Sequence, residues 1–202
     1  MHQCTIRSRG LALDSVLLVE GVTPANFFEA FAKRMGVDAR VEIRSYKSIT
    51  ELGKYLRAIA STTEFKVKVK RLGITRDAEG DAGAALNSAD HAIKSAKLEA
   101  GVQTRIEILP DNVTIGMIET LCLRAFATNP VLQSVDAFLS QAEQMGASIP
   151  TGPKRDKHRA QILLAVHEGP EPYVGLAARK GIIPFDHIAF DRLRELMTFL
   201  CP

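Results

Sequence analysis

Four times in the first 110 residues, a short apolar run stops at a turn signal, and between these runs lie stretches with helical spacing. Ser15 to Val19 is the first run and ends at Glu20-Gly21, the pattern of a buried strand. Phe27, Phe28, Phe31 and Met35 then recur at helical spacing between Pro24 and Gly36, which suit the two ends of a helix. Val41, Ile43 and Ser45 alternate with Glu42 and Arg44 as a second strand. Ser48-Ile49-Thr50-Glu51 reads as a capping box ahead of Leu52, Leu56 and Ile59. Phe65 to Thr75 reads as a third strand, opening on alternating lysines, turning apolar at Leu72-Gly73-Ile74 and ending at Arg76-Asp77. Leu86, Ala89, Ile93 and Ala96 give a further helix closed by Gly101, and Arg105 to Leu109 a fourth strand stopped by Pro110.

Alternation at this spacing predicts an α/β fold: mainly parallel strands, right-handed crossovers, and an open sheet with helices on both faces. The α/β core is expected over residues 11–110. Residues 111–202 read as a helical extension packed on it, with apolar stripes Ile118/Leu121/Cys122/Ala125, Leu132/Val135/Leu139/Ala142, Leu163/Leu164 and Leu193/Leu196/Leu200. Met145 to Lys157, with Gly146, Pro150, Gly152 and Pro153 among charges, reads as a long surface loop.

At 202 residues and 46% hydrophobic, the chain can bury one sizeable core. The apolar run from Leu11 is broken by Asp14 and ends at Glu20, too short for a membrane span or a secretory signal, so a cytoplasmic protein with no membrane partner is expected. Cys4, Cys122 and Cys201 are odd in number and far apart. They fit neither a disulfide framework nor a zinc site and read as small apolar fillers. A formal charge of +3 is too balanced to mark a nucleic-acid binder by composition, so any polyanion site must be local.

Open parallel sheets bind ligands beyond the carboxyl ends of their strands, where the winding reverses. Glu20 ends the first strand, while Asp77, Glu79 and Asp81 follow the third, and in a common order of such sheets these strands are neighbours. Strands about 4.8 Å apart bring such carboxylates within reach of one cation. Acids gathered without a counter-charge repel and take up protons. Magnesium, with manganese as its substitute, is the hard cation that suits an all-oxygen set and also accepts phosphate. Each acid also has a plain structural reading: Glu20 as a strand end in solvent, Asp81 as a helix cap. No P-loop, dinucleotide fingerprint or nucleophile elbow is present.

Val16-Leu17-Leu18-Val19-Glu20-Gly21 resembles the first motif of Toprim domains, and Gly73-Ile74-Thr75-Arg76-Asp77-Ala78-Glu79 resembles the second. With Gly116-Met117-Ile118-Glu119-Thr120-Leu121-Cys122 and Pro184-Phe185-Asp186-His187-Ile188-Ala189-Phe190, the whole chain resembles a Toprim-like family of small prokaryotic proteins, similar to the Toprim end of OLD-type nucleases. The resemblance implies that Glu20, Asp77 and Glu79 hold magnesium for phosphodiester chemistry. It further implies Glu119 as a later metal-binding acid, a lysine, Lys154 or Lys157, facing the reacting phosphate, and a separately encoded ATPase as partner. The chain departs from the pattern at Pro24, where nuclease-type members carry an aspartate, and at Glu79, where aspartate is more usual. One-metal chemistry or weakened metal binding is therefore expected.

Lys66, Lys68 and Lys70 fall on one face of the expected third strand, either as a track for a phosphate backbone or as the protective charge of a solvent-facing strand. Arg76 either steadies the acids or contacts a phosphate. His2, His91, His158, His167 and His187 show no metal spacing. Two functions remain: a magnesium-dependent nuclease, or a weak or inactive module that binds nucleic acid or a partner ATPase.

Overall fold

A computed structural model of the protein describes residues 11–48, 50–167 and 169–202. Cys4, His2 and the Ile49 position of the expected capping box lie outside the described residues. An unbroken Val-Leu-Leu-Val run has no solvent face to offer, and it becomes strand β1 (Ser15–Glu20), buried on both sides. Its side chains divide by parity: Leu17 and Val19 enter one core, Val16 and Leu18 a second. The chain continues through α1 (Val22–Arg34), β2 (Glu42–Tyr46), α2 (Leu52–Ala60), α3 (Thr63–Lys68), β3 (Arg71–Asp77), α4 (Ala82–Ala96) and β4 (Gln103–Leu109). Five more helices follow: α5 (Ile118–Ala125), α6 (Pro130–Gln144), α7 (Pro153–Ala165), α8 (Val174–Arg179) and α9 (Asp191–Leu200), the last entered through a 3-10 turn at Ile188–Phe190.

The four strands are all parallel, in the order β2-β1-β3-β4. The chain steps from β1 outward to β2, then crosses back to β3 on the other side of β1. The winding therefore reverses between β1 and β3. Helices α2, α3 and α4 cover the face of Val16, Leu18, Leu72 and Ile74. Helix α1 opens the other layer, and the C-terminal helices complete it, so Leu17, Val19, the Phe27/Phe31/Phe185/Phe190 ring cluster and Leu196 share one core. Cys122 and Cys201 are buried fillers, as their spacing suggests.

Three local expectations are corrected. Residues 63–68 are helical, and the third strand starts only at Arg71. Phe65 and Val69, four apart, are both buried while Val67 is 76% exposed, which is a helical period. Thr62 starts that helix by accepting from the Phe65 amide. The lysine stripe accordingly dissolves: Lys66 and Lys68 ride on α3, and the Lys68 ammonium donates to the Leu11 carbonyl. At α2 the cap position is Glu51, without a side-chain cap, and Ser48 instead closes a turn by accepting from the Glu51 amide. The loop after α6 ends at Gly152, and Pro153 opens α7, the helix position where a missing N–H costs nothing.

Helices α1 and α8 touch through a glycine. A methyl group on Gly175 would stand 2.3 Å from the Thr23 carbonyl oxygen, and backbone cannot step aside as a side chain can. Gly175→Ala is expected to destabilise the fold by about 2–3 kcal/mol, measured by chemical denaturation. Because α1 starts directly behind Glu20, the same variant should disturb the end of β1.

Candidate functional site

Glu20 and Asp77 are the last residues of β1 and β3, neighbouring strands in which Val19 lies opposite Thr75. They stand at the point where the winding reverses, the place where open α/β sheets hold ligands. Beyond Asp77 the chain is shaped by a two-way bridge: the Glu79 amide donates to the Gly116 carbonyl at 2.8 Å, and the Gly116 amide returns to Glu79 at 3.0 Å. Glu79 adopts a left-handed conformation, φ 51°, which a non-glycine residue holds only when its surroundings impose it. Gly116 has no room for a side chain, since a methyl group would lie 2.9 Å from both Pro110 Cδ and Thr120 Oγ1.

This bridge carries the start of α5 onto the end of β3. The Ile118 amide donates to Asp77 Oδ1 at 2.9 Å, and the next residue, Glu119, is buried at 7% exposure. A helix N-terminus offers unsatisfied amides and a positive dipole end, so a carboxylate there is favoured. The balance nevertheless runs the other way. Burial first, then the charge of Glu119, with Glu20 and Glu79 behind it, pushes Asp77 up to about 8 against the pull of the Ile118 amide. Burial also raises Glu119, while the nearby Lys157 ammonium draws it back down. The Tyr46 hydroxyl, donating to the Thr75 carbonyl, is pushed up by burial and by Glu20.

Of the acids named from sequence, Glu119, Glu20 and Glu79 each act on Asp77 at this end of the sheet. Asp81 is spent on α4, where its Oδ1 caps the helix by accepting from the Ala84 amide at 2.8 Å. Of the two lysines, Lys157 is the one whose charge reaches Glu119. Arg76 does not steady Asp77. It is buried on the opposite face of β3, where it reaches the Ala85 carbonyl at 3.4 Å and its Nε has no partner among the described residues.

A relay between helices supports the site and was missed from sequence. Thr120 Oγ1 accepts from the Met117 amide at 3.1 Å and donates to Asp156 on α7 at 2.9 Å. Asp156 is held in turn by Arg159, which also grips Asp136 on α6 through two bonds of 2.6 and 2.9 Å. Each end of the Thr120–Asp156 bond adjoins a site residue, Glu119 on one side and Lys157 on the other. The 36-residue separation leaves no periodic trace in the sequence.

The donor set is all oxygen and suits a hard cation such as magnesium, which needs only one or two carboxylates and keeps several waters. Thr75 Oγ1, two residues before Asp77 on the same face, is a buried hydroxyl without a partner among the described residues. Among the described residues, no three His, Cys, Asp or Glu side chains are gathered tightly enough to ligate one ion together. The fit is therefore to a hydrated cation on Asp77 and one neighbour, not to a closed cage.

A carboxyl whose value rises from 3.8 to about 8 binds its proton more tightly in the folded state. Its contribution is complete below the unfolded value and is lost as pH rises through the folded one, so stability falls between about pH 4 and 8. Asp77→Asn should remove that slope and leave the variant more stable than the parent at pH 8, measured by urea titration across this range.

No helix among the described residues is long and apolar enough to cross a membrane. No curated protein and no solved structure matches the chain. The model of one protein family matches residues 14–201, nearly the whole chain including every acid described above. The chain belongs to that family, described as "Protein of unknown function (DUF3226)".

Proposed function

We propose that this site performs magnesium-dependent phosphodiester cleavage on nucleic acid, of the kind the Toprim resemblance implies. The observation that carries the reading is Asp77: a partly exposed carboxyl at the switch point of the sheet, raised to about 8 by burial and three surrounding acids. Such a group is held in an unfavourable state that a bound cation relieves, and strained acids of this kind concentrate at functional sites. Magnesium bound there supplies polarisation of a phosphoryl oxygen and a lowered pKa for a coordinated water.

The chain's own residues divide the remaining work. Asp77 and Glu119 hold the cation, with Glu20 and Glu79 adding the negative field that attracts it. Lys157, exposed on the first turns of α7, meets a phosphate that approaches the acids and offsets charge developing on it. Asp156 and Thr120 keep Lys157 and Glu119 in register.

A second reading has its own support. Pro24 stands where a further acid would complete a two-metal site, and no three ligands are gathered among the described residues. A module of this shape binds nucleic acid or a partner ATPase without turnover. Purified protein incubated with single-stranded, duplex and supercoiled substrates, with magnesium, manganese or chelator, separates the two. Metal-dependent cleavage that falls at least about 100-fold in Asp77→Ala is the expected result. Thr120→Val should cost about 10-fold while leaving metal affinity nearly intact. Binding without cleavage under every condition would favour the module.

A further inference from the structure

Arg76 is a buried charge that the proposed chemistry does not use. It is 5% exposed, one residue before Asp77 on β3, with its side chain on the α4 side of the sheet. A guanidinium has five N–H groups to satisfy. Among the described residues Arg76 makes no ion pair and its Nε has no partner. Its Nη1 reaches only the Ala85 carbonyl, at 3.4 Å, longer than a good hydrogen bond. The side chains beside it, Ile108 on β4 and Ala85 on α4, offer no oxygen. A charge taken out of water without a counter-charge costs stability, and an apolar residue of the same size would fill this space better.

The place of this charge is as telling as its lack of partners. The register that sets Val19 beside Thr75 and Glu20 beside Tyr46 puts Arg76 in one row with Glu20 and Tyr46, at the carboxyl end of the sheet. Glu20 and Arg76 both act on the Tyr46 hydroxyl, which donates to the Thr75 carbonyl at 3.1 Å. Around them Glu20 and Asp77 are half-buried and Glu79 is exposed, so this end of the sheet is open to solvent. Lys157 belongs to the other layer: α7 packs into the core of Leu17 and Val19, whereas Arg76 points to the side of Leu72 and Ile74. The acids thus lie between two cations on opposite faces of the sheet. A ligand that meets both carries negative charge at more than one point.

We propose that Arg76 binds a phosphate of the substrate strand next to the one that meets the cation and Lys157. The assignment rests on the phosphodiester reading and narrows its substrate to a strand with at least two phosphates. A guanidinium takes phosphate oxygens through two parallel N–H bonds, and the unpartnered Nε is one arm of such a fork. The acids repel phosphate until a cation offsets them, so this contact strengthens once magnesium is in place.

Arg76→Met keeps the bulk and removes the charge. It should melt about 2–4 °C above the parent, whereas loss of an arginine kept for structure would lower the melting point. A single-stranded oligonucleotide, followed by fluorescence anisotropy with magnesium, should bind the variant at least about 10-fold more weakly. The salt dependence should fall by about one phosphate contact, and Arg76→Lys should recover part of the loss. Where the chain cleaves the oligonucleotide, the loss appears in KM more than in kcat. Where it cleaves nothing, the phosphodiester reading fails, and the anisotropy still judges Arg76. Absence of oligonucleotide binding by the parent, an Arg76→Met that melts below the parent, or one that binds with the parent's affinity and salt dependence would each overturn the assignment.

Discussion

The hydrogen bond from the Ile118 amide to Asp77 Oδ1 ties the end of β3 to the start of α5, and the site depends on that join. It brings a helix N-terminus up to a carboxylate that β3 has already placed at the switch point. A hydrogen bond to a charged group is worth about 1.5–3 kcal/mol. That is not enough here: burial and three further acids outweigh it and leave Asp77 near 8. The architecture thus brings together groups that repel one another and holds them there with backbone. The Glu79–Gly116 bridge and the left-handed turn at Glu79 are the backbone features that bring the start of α5 to Asp77.

The C-terminal helices are therefore part of the candidate site as well as of the core. Helix α5 supplies Glu119 and α7 supplies Lys157, and the Thr120–Asp156–Arg159–Asp136 relay fixes these two helices and α6 relative to one another. One set of ion pairs thus orients the two helices that carry Glu119 and Lys157.

The sheet was legible because its signals are local. Val16 to Val19 has no solvent face, Asp77 closes an apolar run, and neighbouring ends follow once alternation implies parallel strands. The reading failed at 63–70, where Lys66-Val67-Lys68-Val69-Lys70 imitates the period of a strand. The deciding fact, Phe65 and Val69 buried together, belongs to tertiary packing. Glu20 and Asp77 could be placed by strand ends, whereas Glu119 came only from the resemblance. Asp156 and Thr120 left no signal, because a bond between residues 36 apart depends on how two helices dock.

A cation bound as proposed would displace a proton from Asp77, whose carboxyl is pushed up to about 8 by burial and neighbouring acids. Calorimetric titration of manganese at pH 7, repeated in buffers of different ionisation enthalpy, measures the protons released as metal binds. With Asp77 near 8, binding should release close to one proton, and Asp77→Asn should abolish that release together with most of the affinity. Absence of binding, or binding without proton release and unchanged in Asp77→Asn, would contradict it.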